Sequence, residues 1–412
     1  MSDKGKKTTE GQKPEASGSR RRFLGAAALG MGAGVTGFPY INIKYAGAAQ
    51  FPVVKSCYLP ITDATPILIA HEQGFFADEG LESERPVLIR GWSPIAEAFM
   101  AKRFNLTHLL LPIPIYMRFG LGFPVKVVAW DHTNGSALTV GAKSGINSQA
   151  DLGGKQIAVP YWYSMHNVIQ QMILAEYGIE PVIQSRTAPL SKKQCNLFVM
   201  QPPDMPTALA SGAIDGYIVA EPFNAVGEVL ARGKVIRFTG DVWKDHPCCV
   251  AVMHEDQVDN KEYSHKVISA IVKAELWALN NTEKAAEVMS KDGAKYLPFP
   301  AKVIKRAMMK YDLDTYGPNG TGAIQNPDWN GRRWSVNPFQ YRDNTIQVVE
   351  QLKKTVLQGK TDFINSLNGD KVQKELMYTD GVREAAEAIG GLQVFPNVNP
   401  EDPYRRQEII KV

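Results

Sequence analysis

The stretch Val53-Val54-Lys55-Ser56-Cys57-Tyr58 is followed by Thr65-Pro66 and then by Ile67, Leu68, Ala70 and His71, with Gly74 closing the run. The first six residues read as a buried strand. Thr65-Pro66 reads as an N-cap followed by proline at the first helical position, the four residues after it keep helical spacing, and the glycine is a stop. Outward from there the same grammar repeats. Residues 81–89 read as a second strand, and Ser93-Pro94 gives a second cap-and-proline signal before Ile95, Ala98 and Phe99. Leu106-Thr107-His108-Leu109-Leu110-Leu111 is a third strand ending at Pro112, and Val125-Lys126-Val127-Val128-Ala129-Trp130 is a fourth. Strands alternating with helices predict an α/β protein with a parallel sheet.

The pattern restarts after Asp151-Leu152-Gly153-Gly154-Lys155. Gln156–Val159 is a strand, Ser164 caps a helix that Gly178 ends, a short helix closes at Ser211-Gly212, and Gly216–Ala220 is the next strand. Two successive units predict two lobes. A strand over residues 249–253 follows, and then mostly helical patterns. The Gly/Asn/Pro/Trp-rich stretch 314–339 is long for a structureless loop, so it is expected to be functional or packed over a lobe.

The chain has 412 residues, 44% hydrophobic and 21% charged, with 46 Lys+Arg against 42 Asp+Glu. That composition excludes wholesale disorder, collagen and coiled coil. The slight basicity is local: residues 1–48 hold eight basic and three acidic side chains, leaving the remainder close to neutral. Within that leader, Ser19-Arg20-Arg21-Arg22-Phe23-Leu24 precedes a short Gly/Ala-rich run, and Ala46-Gly47-Ala48 offers a small-residue cleavage site. The hexapeptide resembles the twin-arginine export motif, although Gly25 stands where lysine is usual. An ordinary Sec signal is the alternative to it. No later stretch approaches the roughly 18 apolar residues of a membrane span, so a soluble, periplasmic protein is expected once the signal is removed.

Motifs for enzymatic chemistry are sparse. There is no Gly-x-Gly-x-x-Gly after a strand, no phosphate-binding loop and no Gly-x-Ser-x-Gly. The seven histidines show no metal-ligand spacing, so no metal and no cofactor are expected. Basic residues do not cluster with aromatics beyond the leader, which gives no support for nucleic-acid binding. Cys57, Cys195, Cys248 and Cys249 form no Cys-x-x-Cys pair and are expected to be structural thiols, with one long-range bridge as the other possibility.

Four strand-to-helix loops remain: 60–65, 90–93, 160–167 and 220–223. In open α/β sheets ligands bind beyond the carboxyl ends of strands, where helix N-termini present free NH groups. Plain helix capping would account for each loop singly. Trp92 and Tyr161-Trp162-Tyr163, however, put large rings on loops, which points to contact with a ligand.

Three segments resemble the nitrate/sulfonate/bicarbonate (taurine-type) substrate-binding proteins of ABC importers. They are Ile69-Ala70-His71-Glu72-Gln73-Gly74-Phe75-Phe76-Ala77-Asp78-Glu79-Gly80-Leu81, then Asp151-Leu152-Gly153-Gly154-Lys155-Gln156-Ile157-Ala158-Val159-Pro160, and Thr207-Ala208-Leu209-Ala210-Ser211-Gly212-Ala213-Ile214-Asp215-Gly216 closed by Glu221-Pro222-Phe223. The resemblance implies a two-lobed type II periplasmic-binding-protein fold with an interlobe ligand cleft. It also implies a solute-binding component, not an enzyme, that captures a small anion or small organic molecule by lobe closure and delivers it to an inner-membrane ABC permease; the leader motif adds the twin-arginine translocase as the partner in export. In the nitrate and bicarbonate branch a segment beginning His-Pro carries a lysine that helps hold the anion. Here the match is His246-Pro247-Cys248-Cys249, without lysine, which argues for a less charged or larger ligand.

The expected organisation is a leader over 1–48, lobe 1 over 49–137 and 248–412, and lobe 2 over 138–247. Ligand contacts are expected from Thr62, Asp63, Trp92 and Ser93 on lobe 1, and from Tyr163, Ser164, His166, Asn167 and Glu221 around the facing lobe. The rival readings are an enzyme resembling thiamine-precursor pyrimidine synthases, for which Cys248-Cys249 and His166 give a foothold, and a periplasmic sensor module.

Overall fold

A computed structural model describes residues 51–412. The export motif and the cleavage site lie outside the described residues. Among the described residues, twelve strands fall into two six-stranded sheets. In chain order they are β1 (Ser56–Tyr58), β2 (Val87–Leu88), β3 (Leu106–Leu110), β4 (Val125–Asn134), β5 (Ser136–Val140), β6 (Gln156–Val159), β7 (Glu180–Val182), β8 (Gln194–Val199), β9 (Gly216–Ala220), β10 (Lys234–Phe238), β11 (Pro247–His254) and β12 (Trp334–Ser335). The first sheet runs β12-β4-β11-β3-β1-β2 and the second β10-β5-β9-β6-β8-β7.

Both sheets are mixed, which corrects the expectation of a parallel sheet. β1 pairs in parallel with β2 and β3, but β11 runs antiparallel between β3 and β4. In the second sheet β6 is parallel to β8 and β9, whereas β5 is antiparallel to β9 and β10. The chain leaves the first sheet through β4, enters the second directly through β5, and returns from β10 to β11, so the antiparallel strands β5 and β11 are the ones by which it enters each sheet from the other.

The sequence signals resolve unevenly. Met165–Glu176 is a helix whose N-cap Ser164 accepts from the Asn167 amide at 3.0 Å. Met205–Ser211 ends at Gly212 in the left-handed region, as the glycine predicts. The helix Thr65–Glu72 has Ala64 as N-cap, with Pro66 in its first turn. The helix Trp92–Met100 is preceded by Gly91, so Ser93 is no cap; it lies one residue inside the helix and is exposed. The strand expected over 81–89 shrinks to two residues, Val87–Leu88, with an isolated bridge between Val54 and Ser83. Lys261–Asn280 is the longest described helix, and no described helix is long and apolar enough to cross a membrane.

The 314–339 stretch spans both sheets. Tyr316, Ala323 and Ile324 pack on Ala137, Val235 and Phe238 of the second sheet. The Asp241 carboxylate accepts from the Gln325 and Asn326 amides at 2.8 and 2.9 Å. Eight residues later Trp334–Ser335 pairs with β4 of the first sheet.

Candidate functional site

The two sheets meet where β4 gives way to β5. Asn134 and Gly135 both take positive φ there, at 61° each. The last residues of β4, Asp131-His132-Thr133-Asn134, continue the apolar run 125–130 with polar side chains that are all buried. Buried polar groups at the end of a strand need partners. His132 finds Asp63: its Nδ1 lies 3.1 Å from Asp63 Oδ2, with neither side chain exposed. The approach is at ion-pair distance but off a hydrogen-bonding line. Both carboxylate oxygens and both ring nitrogens lack a hydrogen-bond partner.

β11 supplies the opposite wall. Consecutive side chains of a regular strand point to opposite faces. The β11 register against β4 slips between Pro247 and Cys249 and again between Cys249 and Val250. That bulge bends the strand and turns both thiols to one place. Cys248 Sγ, Cys249 Sγ and an Asp63 oxygen all lie within 4.8 Å of one another. From the second sheet's side come Ser136 of β5 and His166 of the helix Met165–Glu176. His166 Nε2 is 2.9 Å from Ser136 Oγ and 3.8 Å from Cys248 Sγ, and Ser136 Oγ is 3.5 Å from the same sulfur.

The charges follow from burial and proximity. Burial, reinforced by Cys248, raises Asp63 to about 6, with His132 opposing. Burial pulls His132 down, but Asp63 and Cys248 outweigh it and raise it to about 10. At neutral pH the pair is therefore carboxylate and imidazolium. Burial pushes the Cys248 thiol up, yet hydrogen bonding from Cys249 and the neighbouring His166 and His132 hold it well below its ordinary value. Cys249 moves the other way, raised by burial and by Cys248. Of the two thiols, Cys248 is therefore the more acidic.

A contact between the two sides closes over this cluster. The Thr62 amide donates to the Glu221 carbonyl at 2.8 Å, and Thr62 Oγ1 donates to the same oxygen at 3.2 Å. The Glu221 side chain turns away to Arg333, 2.7 Å off. Trp92 is 3% exposed, meets His108 edge-on at 5.5 Å between ring centroids, and leaves its indole nitrogen without a partner. A surface hollow of about 650 Å³, lined by Glu72, Lys284 and Ser290 among others, lies away from these residues.

Of the nine residues expected at the ligand, Asp63 and His166 join the cluster, Thr62 and Glu221 close it, and Trp92 packs on the histidine behind it. The other four sit elsewhere. Ser93 is exposed. Ser164 caps its helix. Asn167 donates to the Trp162 carbonyl. The Tyr163 hydroxyl donates to the Lys360 carbonyl while its ring stacks on Tyr116. Sequence reasoning missed His132, Ser136 and Arg333. The signal for the first was available as a polar Asp131-His132 pair ending an apolar strand.

The sequence profile of the NMT1-like family matches residues 47–291. The nitrate/nitrite binding protein NrtA of Nostoc sp. (strain PCC 7120) is 25% identical over 407 residues, covering 90% of this chain and 88% of that protein. The nitrate import ATP-binding protein NrtC of Synechocystis sp. (strain PCC 6803) is 30% identical over 237 residues, covering 54% of this chain and 33% of that protein. The crystal structure of the periplasmic nitrate-binding protein NrtA from Synechocystis PCC 6803 superposes with a TM-score of 0.69 at 20% identity, over 88% of this chain and 95% of that one. At that identity the likeness speaks for the fold: the two sheets are the two lobes of the type II periplasmic-binding-protein architecture, and the cluster lies where the lobes meet.

Proposed function

Because the chain belongs to the NMT1-like family, we propose that it is the extracytoplasmic solute-binding component of an ABC import system, capturing a small anion or small organic molecule by closure of two lobes. The observation that carries this reading is the buried polar cluster at the lobe junction. Asp63, His132 and His166 all keep unpartnered polar atoms there, and unpartnered buried polar groups at a lobe junction are what a ligand would satisfy. The likeness to nitrate-binding and nitrate-import proteins supports it.

On this reading residues 49–137 and 248–412 form lobe 1, and 138–247 form lobe 2. Residues 1–48 are a twin-arginine signal, export places the protein in the periplasm, and the partner is an inner-membrane ABC permease with its ATPase. Thr62, Asp63, Trp92, His166 and Glu221 bind the ligand or close over it, and Tyr163, Ser164 and Asn167 hold the second-lobe wall in place. The missing lysine at His246-Pro247-Cys248-Cys249 argues against free nitrate, since His132, the cation of the cluster, is already paired with Asp63.

Closure by a solute requires that it bind the closed state better than the open one. Titration with nitrate, sulfonates, amides and aromatic acids, read by calorimetry with small-angle scattering of the same samples, is the test. The expected result is one solute bound per chain with a smaller radius of gyration. A panel in which nothing binds and nothing compacts, divalent metal ions included, would overturn the reading, and tight nitrate binding would overturn the exclusion of nitrate.

A further inference from the structure

We propose that the solute taken at the lobe junction is a zinc-class metal ion, held by Asp63, Cys248 and Cys249 with an open fourth position. The proposal rests on the import reading but puts a cation in place of its anion or organic molecule, since the ion is what the two lobes would close on.

Three observations carry it. The first is the donor set. Two sulfurs and one carboxylate oxygen come within 4.8 Å of one another although the aspartate is far away in sequence. A tetrahedral zinc site, with Zn–S near 2.3 Å and Zn–O near 2.1 Å, spaces its donor atoms by roughly 3.5 Å. The side chains therefore need to draw in only slightly. Two sulfurs with a carboxylate oxygen suit zinc and its surrogate cobalt, and do not suit magnesium or calcium, which take oxygen alone.

The second is how the donors are brought together. Vicinal cysteines on an ordinary strand would point to opposite faces of the sheet. The double register slip in β11 turns both toward Asp63. A bulge that re-aims one side chain next to another is a feature of functional sites, and a core needing two small apolar residues there would not require one.

The third is the polar accounting. Asp63 and His132 are fully buried, and neither Asp63 oxygen nor either His132 nitrogen has a hydrogen-bond partner. Such atoms are costly to leave unpaired. A cation bound between carboxylate and sulfur would give the Asp63 oxygens a partner. His166, 3.8 Å from Cys248 Sγ and 2.9 Å from Ser136 Oγ, brings the second lobe to the same point. An ion there would give that lobe something to close on, and the Thr62–Glu221 contact would shut the path behind it.

The test uses the full chain, stripped with a chelator and kept under a phosphine reductant. Zn²⁺ is added and followed by calorimetry and elemental analysis, Co²⁺ by its thiolate-to-metal absorption, and both by small-angle scattering. The expected result is one ion per chain, a thiolate-to-cobalt band, and a more compact particle. Cys248→Ser and Cys249→Ser should each weaken binding at least tenfold and lose part of the band. Asp63→Asn, which keeps the shape of the side chain, should weaken binding while the far-ultraviolet circular dichroism is unchanged. An ion that binds without compaction would be a structural ion, and the cargo claim would fall. No metal binding, with an organic or anionic solute from the panel binding and closing the lobes, would overturn the metal and leave the import reading standing. Binding of neither would overturn both.

Discussion

Arg333 and Glu221 meet 2.7 Å apart with neither side chain exposed to solvent. The arginine comes from the stretch that packs along the second sheet, and the glutamate from the end of β9, next to the contact that closes the lobe junction. Arg333 Nη2 also reaches Glu228 at 3.1 Å, and its Nη1 donates to the Tyr316 hydroxyl at 2.7 Å. The arginine thus ties the β9 end to the helix Phe223–Leu230 and to the spanning segment at once.

Two charges buried together contribute little net stability, but breaking one such pair is expensive because the survivor has no solvent. Arg333→Met should therefore lower the unfolding free energy by about 3–5 kcal/mol. Arg333→Met combined with Glu221→Met should recover part of that loss. Urea unfolding of the two variants and the parent gives the numbers. A single variant within about 1 kcal/mol of the parent would mean that water reaches Glu221 and that the pair is not sealed.

His108 should set part of the acid sensitivity. Its Nε2 accepts from the Leu59 amide at 3.0 Å, so the ring must be neutral there. Burial pushes its pKa down to about 3, with Cys248 opposing and His132 assisting. The unfolded chain has an ordinary histidine, near 6.5. A depressed folded pKa means that the unfolded state takes up the proton first. Stability is full above about pH 6.5 and falls as pH drops toward the folded value, by roughly 1.4 kcal/mol per pH unit for one group. His108→Gln can still accept from Leu59 and does not titrate. Urea melts at pH 7, 6 and 5 should show a shallower decline for it than for the parent; parallel declines would remove His108 from the account.

How far the sequence revealed this arrangement depended on the range of each interaction. β6 and β9 begin and end where apolar runs meet turn residues, and both were legible because that pattern is local. The helix after Ser164 was legible for the same reason. β12 is two residues long, carries no periodicity, and exists only because β4 lies beside it. Ser93 reads as a cap by residue type, but Gly91 turns the chain earlier and leaves the serine on an exposed helical position. The junction cluster draws on positions 63, 132, 136, 166, 248 and 249. Their proximity comes from two crossings between sheets and a bulge, none of which a local pattern encodes. The vicinal cysteines stood out in the sequence; their convergence on Asp63 did not.

Trp92 is 3% exposed, so its truncation to alanine would cost about 3–5 kcal/mol from the cavity alone. Trp92→Phe is the informative change. It keeps most of the packing against His108 and deletes the unpartnered indole NH. If that NH serves the bound solute, the variant should unfold within about 2 kcal/mol of the parent while its affinity for the solute falls. Unchanged affinity would make Trp92 a packing residue only.

Gly135 offers the sharpest test of how tightly the junction is built. It sits between β4 and β5 at φ +61°, and a Cβ there would run into the His132 imidazole. Gly212, at φ +75°, has nothing near the position of its missing Cβ. Replacing either by alanine carries the backbone cost of a left-handed residue, about 1 kcal/mol. Only at Gly135 must a neighbour also move, and that neighbour is the imidazolium beside Asp63. Gly212→Ala should lower stability by about 1 kcal/mol and leave solute binding intact. Gly135→Ala should cost clearly more and weaken binding, because displacing His132 strips Asp63 of its counter-charge. Thermal melts and solute titrations of the two variants side by side separate the backbone effect from the packing effect. Equal losses would show that the His132 ring has room to turn aside, and that the short β4–β5 link does not fix its position.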